Sequence, residues 1–444
     1  YWYENNLGIT EDEINCITWN KIVKNLIELS RNKDNQYTCS AKDIVGKIMR
    51  KNNYFIAIVD MEILNNSLYL PFYGKYNFIS KYLELNIHKC IFNYFFDSNS
   101  KIKHKFIPLD NSDFTNNEYR YFATELKNRF LIMTAINLIF IPFIIIFQLI
   151  YFFFKYTEEF KRNIDFFGVC NYSNYARWKF REYNELPHIF EKRINLSYKH
   201  SLKYISLFEN KIYDMIRKFV VFVCSALLIF LTIISIYDEH LLFSDLSLNK
   251  TILWYIGILG TIIGICRITE NKRNTHKNHR SILKKIELYT HHFENEWENQ
   301  EHHIKVYNSF SKLFTYKLAT ILEEFFSFII TPYILFFKYV KNSENIVRFF
   351  VNFTHYNPKI GYVCYFSDIN IQNSTENYDI TQKIFKSHIS FMHNYEEHDN
   401  EHDNEHDNEH DNEHDNVHDN VHDNNSVTSD TDDNTSEKDI LLLG

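Results

Sequence analysis

Four apolar runs interrupt an otherwise polar chain. The first, Phe130–Phe154, carries no charge over 25 residues, enough to cross a bilayer as a helix. Pro142 stands in its middle. Lys127 and Arg129 precede it, and Lys155, Lys161 and Arg162 follow it. Basic residues beside membrane segments favour the cytoplasmic side. A run basic at both ends is therefore expected to enter the membrane, bend at Pro142 and return, as a re-entrant segment over 126–160. The second and third runs, Phe219–Tyr237 and Thr251–Cys266, behave differently. Lys211, Arg217 and Lys218 precede the second; Arg267, Lys272, Arg273, Lys277 and Arg280 follow the third. The segment between them holds Asp238, Glu239 and Asp245 against Lys250 alone. This pattern predicts a transmembrane hairpin over 216–268, both ends cytoplasmic and a short loop lumenal. Asn249-Lys250-Thr251 in that loop is a glycosylation sequon too close to the bilayer to be used. The fourth run, Phe325–Phe337, reaches only about 20 Å as a helix, short of a hydrocarbon core of about 30 Å. Pro332 interrupts it, with Lys312 and Lys317 before and Lys338 and Lys341 after. It is expected to be a second re-entrant segment, 321–341, bent at Pro332. A buried soluble helix is the alternative.

Between these runs the periodicity is helical. Thr18 fits a helix cap before Ile22, Val23, Leu26 and Ile27, and a second pattern runs through Ile44, Ile48, Tyr54, Phe55 and Ile58. Residues 1–125, 161–215, 269–320 and 342–370 are thus read as cytosolic helical regions. From 371 to 444 the composition changes. Five EHDN and two VHDN tetrapeptides run from Glu397 to Asn424. They cannot bury a core, and the whole segment is expected to be disordered.

Composition narrows the function classes. The mean hydropathy of -0.34 excludes a wall-to-wall transporter. The net charge of -8 reflects an acidic tail, while the core is basic beside its apolar runs and suits anionic lipid surfaces. The scattered cysteines form no CxxC pair, which argues against a zinc site or a disulfide framework. No phosphate-binding loop, nucleophile elbow, HExxH or dinucleotide fingerprint occurs. His291-His292 and His302-His303 lie among Glu294, Glu296, Glu298 and Glu301, but without a ligand spacing, so a solvated face is preferred over a metal site. Nucleic-acid binding lacks support, because the basic clusters abut membrane segments. Glu437, Leu441 and Leu442 have the spacing of an acidic dileucine sorting signal.

Two features point to lipid handling. Glu158, Glu159, Lys161, Arg162 and Asn163 follow the first run directly. A charge at membrane depth costs about 2.5–3.5 kcal/mol on insertion scales unless it faces a wet cavity. Interfacial anchoring is the plainer alternative. Gly257, Gly260 and Gly264 lie in the third run, and Gly260-xxx-Gly264 is a helix-packing spacing. Thin helix surfaces there also leave room for a conduit.

Several blocks resemble the autophagy-related protein 9 family over residues 1 to about 368. They include ITWNKIV at 17–23, GKYNF at 74–78, KYTEEFKRN at 155–163, REYNELPH at 181–188, and TIISIYDEHLL at 232–242. YKLATILEEFFSFIITPYILFF at 316–337 is the strongest, followed by RFFVNFT at 348–354 and GYVCYFSDIN at 361–370. The resemblance implies an all-α membrane protein: a transmembrane hairpin, re-entrant helices and cytosolic helices in a domain-exchanged homotrimer. It implies two further spans upstream of Tyr1. It also implies passage of membrane phospholipids between leaflets without ATP, no cofactor and no covalent chemistry. The implied setting is Golgi-derived and endosomal vesicles and the autophagosomal and preautophagosomal membrane, with a bridge-like lipid-transfer protein as partner. Lys161 and Arg162 match the family's Lys-Arg-Glu group, but Asn163 stands where the acid belongs, so Glu158 or Glu159 would supply it. Small and threonine positions of the family's last span fall on Gly257 and Gly264. Pro187 departs from the family pattern and is expected to bend its helix. Passive lipid scrambling is thus the leading expectation. The alternative is a membrane scaffold that recruits autophagy or organelle-biogenesis partners; a channel is disfavoured because neither complete span holds an ionisable residue.

Overall fold

The computed structural model describes residues 2–10, 13, 16–32, 39–70, 74–107, 114–162, 169–208, 211–237, 245–247, 250–268, 279–368 and 378–395. Asn163, Asn249, the tetrapeptide repeats, Glu437, Leu441 and Leu442 lie outside these residues.

The N-terminal part holds helices α1 (Trp2–Leu7), α2 (Trp19–Asn32) and α3 (Ala41–Asp60). α2 starts directly after Thr18. α3 begins on a capping box: Ser40 Oγ accepts from the Asp43 amide, and the Asp43 carboxylate accepts from the Ser40 amide, satisfying amides that the first turn leaves free. Tyr54, Phe55 and Ile58 are fully buried as their spacing predicts, but Ile48 is exposed. The first half of α3 turns Val45 and Met49 inward instead, against Leu186 and Phe391. A hairpin, β1 (Ser67–Leu70) with β2 (Gly74–Asn77), pairs Ser67 with Asn77. α4 (Lys81–Ile87) passes through a π turn, His88–Phe92, into α5 (Asn93–Phe95).

Helix α6 (Asn116–Arg162) carries the first apolar run. Then come β3 (Cys170–Tyr172), α7 (Asn174–Phe180), α8 (Pro187–Ser206) and α9 (Lys211–Tyr237). They are followed by β4 (Asp245–Ser247), β5 (Lys250–Thr251), α10 (Ile252–Ile268), α11 (His279–Thr290), α12 (Ile304–Leu313) and β6 (Phe314–Tyr316). α13 (Lys317–Ile334), α14 (Val340–Asn352), β7 (Thr354–Asn357), β8 (Gly361–Cys364) and α15 (Tyr378–Tyr395) complete the order. The fold is mainly helical, but not purely: the strands form two-stranded ladders, β3 pairing with β6 across the intervening hairpin.

Two cores organise the soluble part. One joins α3, the α4–α5 segment, the start of α6 and the α13–α14 region around Tyr54, Phe92, Phe130, Tyr339 and Phe350. The other joins α7, α8, α11 and α12 around Tyr172, Tyr204, Trp297 and Phe310. Segments before and after the α9–α10 hairpin thus close on each other, which brings residues 169–208 and 279–316 into one body. The hairpin itself is tied at its basic end by Arg217, whose Nη1 donates to the Cys266 carbonyl at 2.8 Å.

Three helical stretches are long and apolar enough to cross a membrane: Asn116–Lys155, Met215–Tyr237 and Lys317–Asn352. α10 is shorter. Four sequence expectations change. α6 runs unbroken through Pro142, so no reversal occurs inside the first run. A proline removes one backbone hydrogen bond and disturbs one turn; it does not by itself reverse a helix. α13 likewise runs through Pro332, then a π turn at Leu335–Tyr339, then α14. The fourth run is therefore part of a 36-residue helical stretch, because its polar flanks are helical too. Pro187 does not bend α8 but opens it at N1, where its missing N–H costs nothing. Finally, the segment expected to be disordered from 371 onward contains a helix, α15. α15 docks by Trp19 Nε1 to Tyr395 Oη at 3.1 Å, Lys383 Nζ to Asp60 at 2.8 Å, and the buried Phe391.

Candidate functional site

The apolar faces of α6 and α13 meet through Phe152 and Phe325, ring centroids 6.1 Å apart. Polar groups line the seam between these helices and α4. Asn137, buried within the first apolar run, donates to Asn86 Oδ1 at 2.8 Å and accepts from Tyr82 Oη at 3.0 Å. The Tyr82 ring rests on Phe328 at 4.5 Å. Toward the start of α13, Glu323 accepts from Tyr76 Oη at 2.9 Å. Glu324 accepts from Asn174 Nδ2 at 2.7 Å and from the Lys81 amide at 3.1 Å. The last contact puts a carboxylate at the N-terminus of α4, already capped by Ser80, where negative charge is favoured. Trp178 Nε1 donates to Glu84 at 3.2 Å, and burial raises the Glu84 pKa against the help of that bond. Lys155, near the end of α6, lies within electrostatic reach of Glu324. The seam thus carries two adjacent acids on one apolar helix and a base on the other.

The sequence candidates fall around this seam unevenly. Glu158 is exposed on α6. Lys161 and Arg162 occupy the last turn of α6; their side chains and that of Glu159 lie outside the described residues, as does all of Asn163. Glu323 and Glu324 add acids to the seam that the sequence candidates did not include, and they come from another helix. Their signal was present in the sequence, as paired acids inside TILEEFFSF, since intramembrane or boundary acids are rare without a role. Asn86 and Asn137 gave no such signal, because their pairing across 51 residues exists only in three dimensions. Gly257, Gly260 and Gly264 meet nothing: a Cβ added to any of them would find no atom within 4 Å. The glycine face therefore does not serve α9–α10 packing. Pro142 and Pro332 lie inside helices, as described.

The histidine candidates enter structural pairs. His291 Nδ1 lies 2.5 Å from Glu182 Oε1, and His292 lies 3.9 Å from Glu294. Burial works against ionisation of Glu182, but Arg193 and His291 outweigh it and hold its pKa well below the usual carboxylate range. Arg193 in turn makes a two-pronged bond to Glu185 and donates to the Tyr289 carbonyl. This network joins α8 to α11. Among the described residues no group of three metal-ligating side chains converges.

The family described as Autophagy protein ATG9 matches residues 1–370. Autophagy-related protein 9 of Dictyostelium discoideum is 35% identical over 380 residues, covering 85% of this chain and 53% of its own length. Autophagy-related protein 9 of Saccharomyces cerevisiae is 32% identical over 384 residues, covering 84% of this chain and 38% of its own. The chain thus spans about half or less of the length of these relatives. Among solved structures, the cryo-EM structure of Schizosaccharomyces pombe Atg9 aligns with a TM-score of 0.62 and 29% identity, over 82% of this chain and 80% of that one. The blocks read along the sequence and the architecture of the folded chain lead to the same place: this chain belongs to the autophagy protein ATG9 family.

Proposed function

We propose that this chain forms the lipid path of an ATP-independent phospholipid scramblase that serves growing autophagic membranes. The observation that carries this reading is the polar seam between apolar helices, with Glu323 and Glu324 on α13 and Asn137 on α6. A headgroup crossing a bilayer alone must shed water. A polar seam between apolar helices lets it remain solvated while its tails stay in lipid. Basic groups at the end of α6, Lys155, Lys161 and Arg162, attract the phosphate. The acids on α13 balance them and prevent tight trapping. No covalent step is required.

The whole assembly is a domain-exchanged homotrimer on Golgi-derived and endosomal vesicles and on the autophagosomal membrane, fed by a bridge-like lipid-transfer protein. The open glycine face of α10 supports subunit or lipid contact there, because no described residue comes within 4 Å of a Cβ placed on it.

The test is a liposome assay with a fluorescent phospholipid and a membrane-impermeant quencher, using full-length protein. Wild type exposes inner-leaflet lipid without ATP, and the pair Lys161→Leu/Arg162→Leu slows it. A folded protein that leaves the inner leaflet protected would reject scrambling in favour of the scaffold role.

A further inference from the structure

A second polar feature lies away from the seam, on the soluble part. A groove of about 800 Å³ opens between α3, the loop after α5 and the β7–β8 turn. Lys47, Arg50, Lys101, Lys103 and Lys359 line it with His104, against a single carboxylate, Asp97. Asp97 is already engaged by the Lys101 amide at 2.8 Å. Arg50 is 5% exposed and forms the floor. Its Nη1 donates to the Ser100 carbonyl at 3.2 Å and its Nη2 to the Ile360 carbonyl at 2.5 Å. Those bonds clamp the two walls, while its Nε is buried with no partner. Among the described residues Arg50, Lys47 and Lys101 have no carboxylate partner. The Arg50 guanidinium is hydrogen-bonded by neutral carbonyls, and Asp97 is the one carboxylate lining the groove against these cations, so positive charge is in excess.

The remaining geometry favours a compact anion. Lys103 Nζ caps the Asn93 and Tyr94 carbonyls at 2.8 and 3.0 Å and stays at the rim. Lys359 reaches Asp43 only at 3.7 Å and is half exposed. Gly361, at φ +82°, has no atom within 4 Å of where a Cβ would stand, so a ligand can approach its backbone. The segment behind the groove is tied to α6. Tyr94 Oη bonds Glu125 at 2.8 Å and Arg129 Nε bonds the Cys90 carbonyl at 3.3 Å, just before the apolar run of α6.

We propose that this groove binds a polyphosphorylated inositol headgroup, with Lys47, Lys101 and Lys359 on the phosphates and Arg50 as the fixed charge beneath. The same chemistry is offered by a soluble inositol phosphate and by a phosphoinositide lipid. The site is independent of the lipid seam, and its readout is binding rather than lipid transfer. Calorimetry on the detergent-solubilised full-length chain uses inositol hexakisphosphate and short-chain dioctanoyl phosphatidylinositol bisphosphate. Binding of both supports recognition of the headgroup from either source; binding of the lipid alone supports a membrane-borne ligand. In each case Lys47→Ala/Lys101→Ala, both exposed and outside the cores, weakens binding about tenfold or more. Lys192→Ala/Lys284→Ala, exposed elsewhere, leaves it unchanged. The proposal is overturned if neither probe binds, if the groove pair binds like wild type, or if the control pair loses as much. If the acidic repeats at 397–424 filled the groove instead, neither probe would bind, and that result also overturns it.

Discussion

Glu324 can be tested so that its structural and its functional roles separate. Two substitutions are compared, Glu324→Leu and Glu324→Gln. The carboxylate accepts from Asn174 Nδ2 at 2.7 Å in a partly buried setting and from the Lys81 amide at 3.1 Å in an exposed one. Leucine removes both acceptors. An unsatisfied, partly buried amide costs about 1–3 kcal/mol, and the exposed Lys81 amide, which water can serve, loses less. Glu324→Leu should therefore destabilise the protein by about 2–3 kcal/mol. Glutamine keeps a carbonyl oxygen and loses only the charge-assisted part, about 1 kcal/mol. Both remove the negative charge within electrostatic reach of Lys155. Attraction between opposite charges falls with distance and with exposure, and Lys155 is exposed. Losing even about 1.4 kcal/mol of that balance changes a rate about tenfold. Thermal unfolding in detergent should rank wild type above Glu324→Gln above Glu324→Leu. In the liposome assay both variants should slow transfer by a similar factor, since both lack the charge. The polar-seam reasoning fails if Glu324→Gln is nearly as stable as wild type and moves lipid at the wild-type rate. Glu324 would then be only an anchor for α4 and α7.

Other consequences follow from the soluble part and the hairpin. Lys383→Met leaves Asp60 buried with Tyr183 Oη as its remaining partner; breaking such a pair costs about 3–5 kcal/mol, and hydrogen exchange should rise across 378–395 before the rest of the fold. Against the opposing effect of burial, Arg193 and His291 hold the Glu182 pKa well below the free carboxylate value of 4.5. Its contribution is complete above pH 4.5 and is lost as pH falls below that value, so the unfolding midpoint should drop on acidification and Glu182→Gln should flatten the drop. Gly260→Ala should leave the chain at least as stable as wild type, by up to about 1 kcal/mol, because the added Cβ meets no described atom within 4 Å and alanine favours a helix over glycine; loss of the oligomer on native mass measurement would place this face at a subunit contact, and an unchanged oligomer would assign it to lipid.

The sequence by itself determined the elements whose cause is local. Long uncharged runs become helices of membrane length, and the charge alternation at 211–280 defines a hairpin, because helix formation and the positive-inside preference depend on neighbours along the chain. The family, too, was legible in ordered blocks. Local rules misjudged the prolines: a single missing hydrogen bond at Pro142 or Pro332 is outweighed by the helix on either side, and Pro187 falls where that bond is not needed. They also misjudged the tail, since α15 owes its helix to Phe391 and Lys383 meeting α3, partners more than 300 residues away. The tertiary structure alone decided which polar groups share a site. Asn86 met Asn137, Glu324 met Asn174, and Arg50 met Ser100 and Ile360, each pairing built from distant segments whose separation no periodicity records.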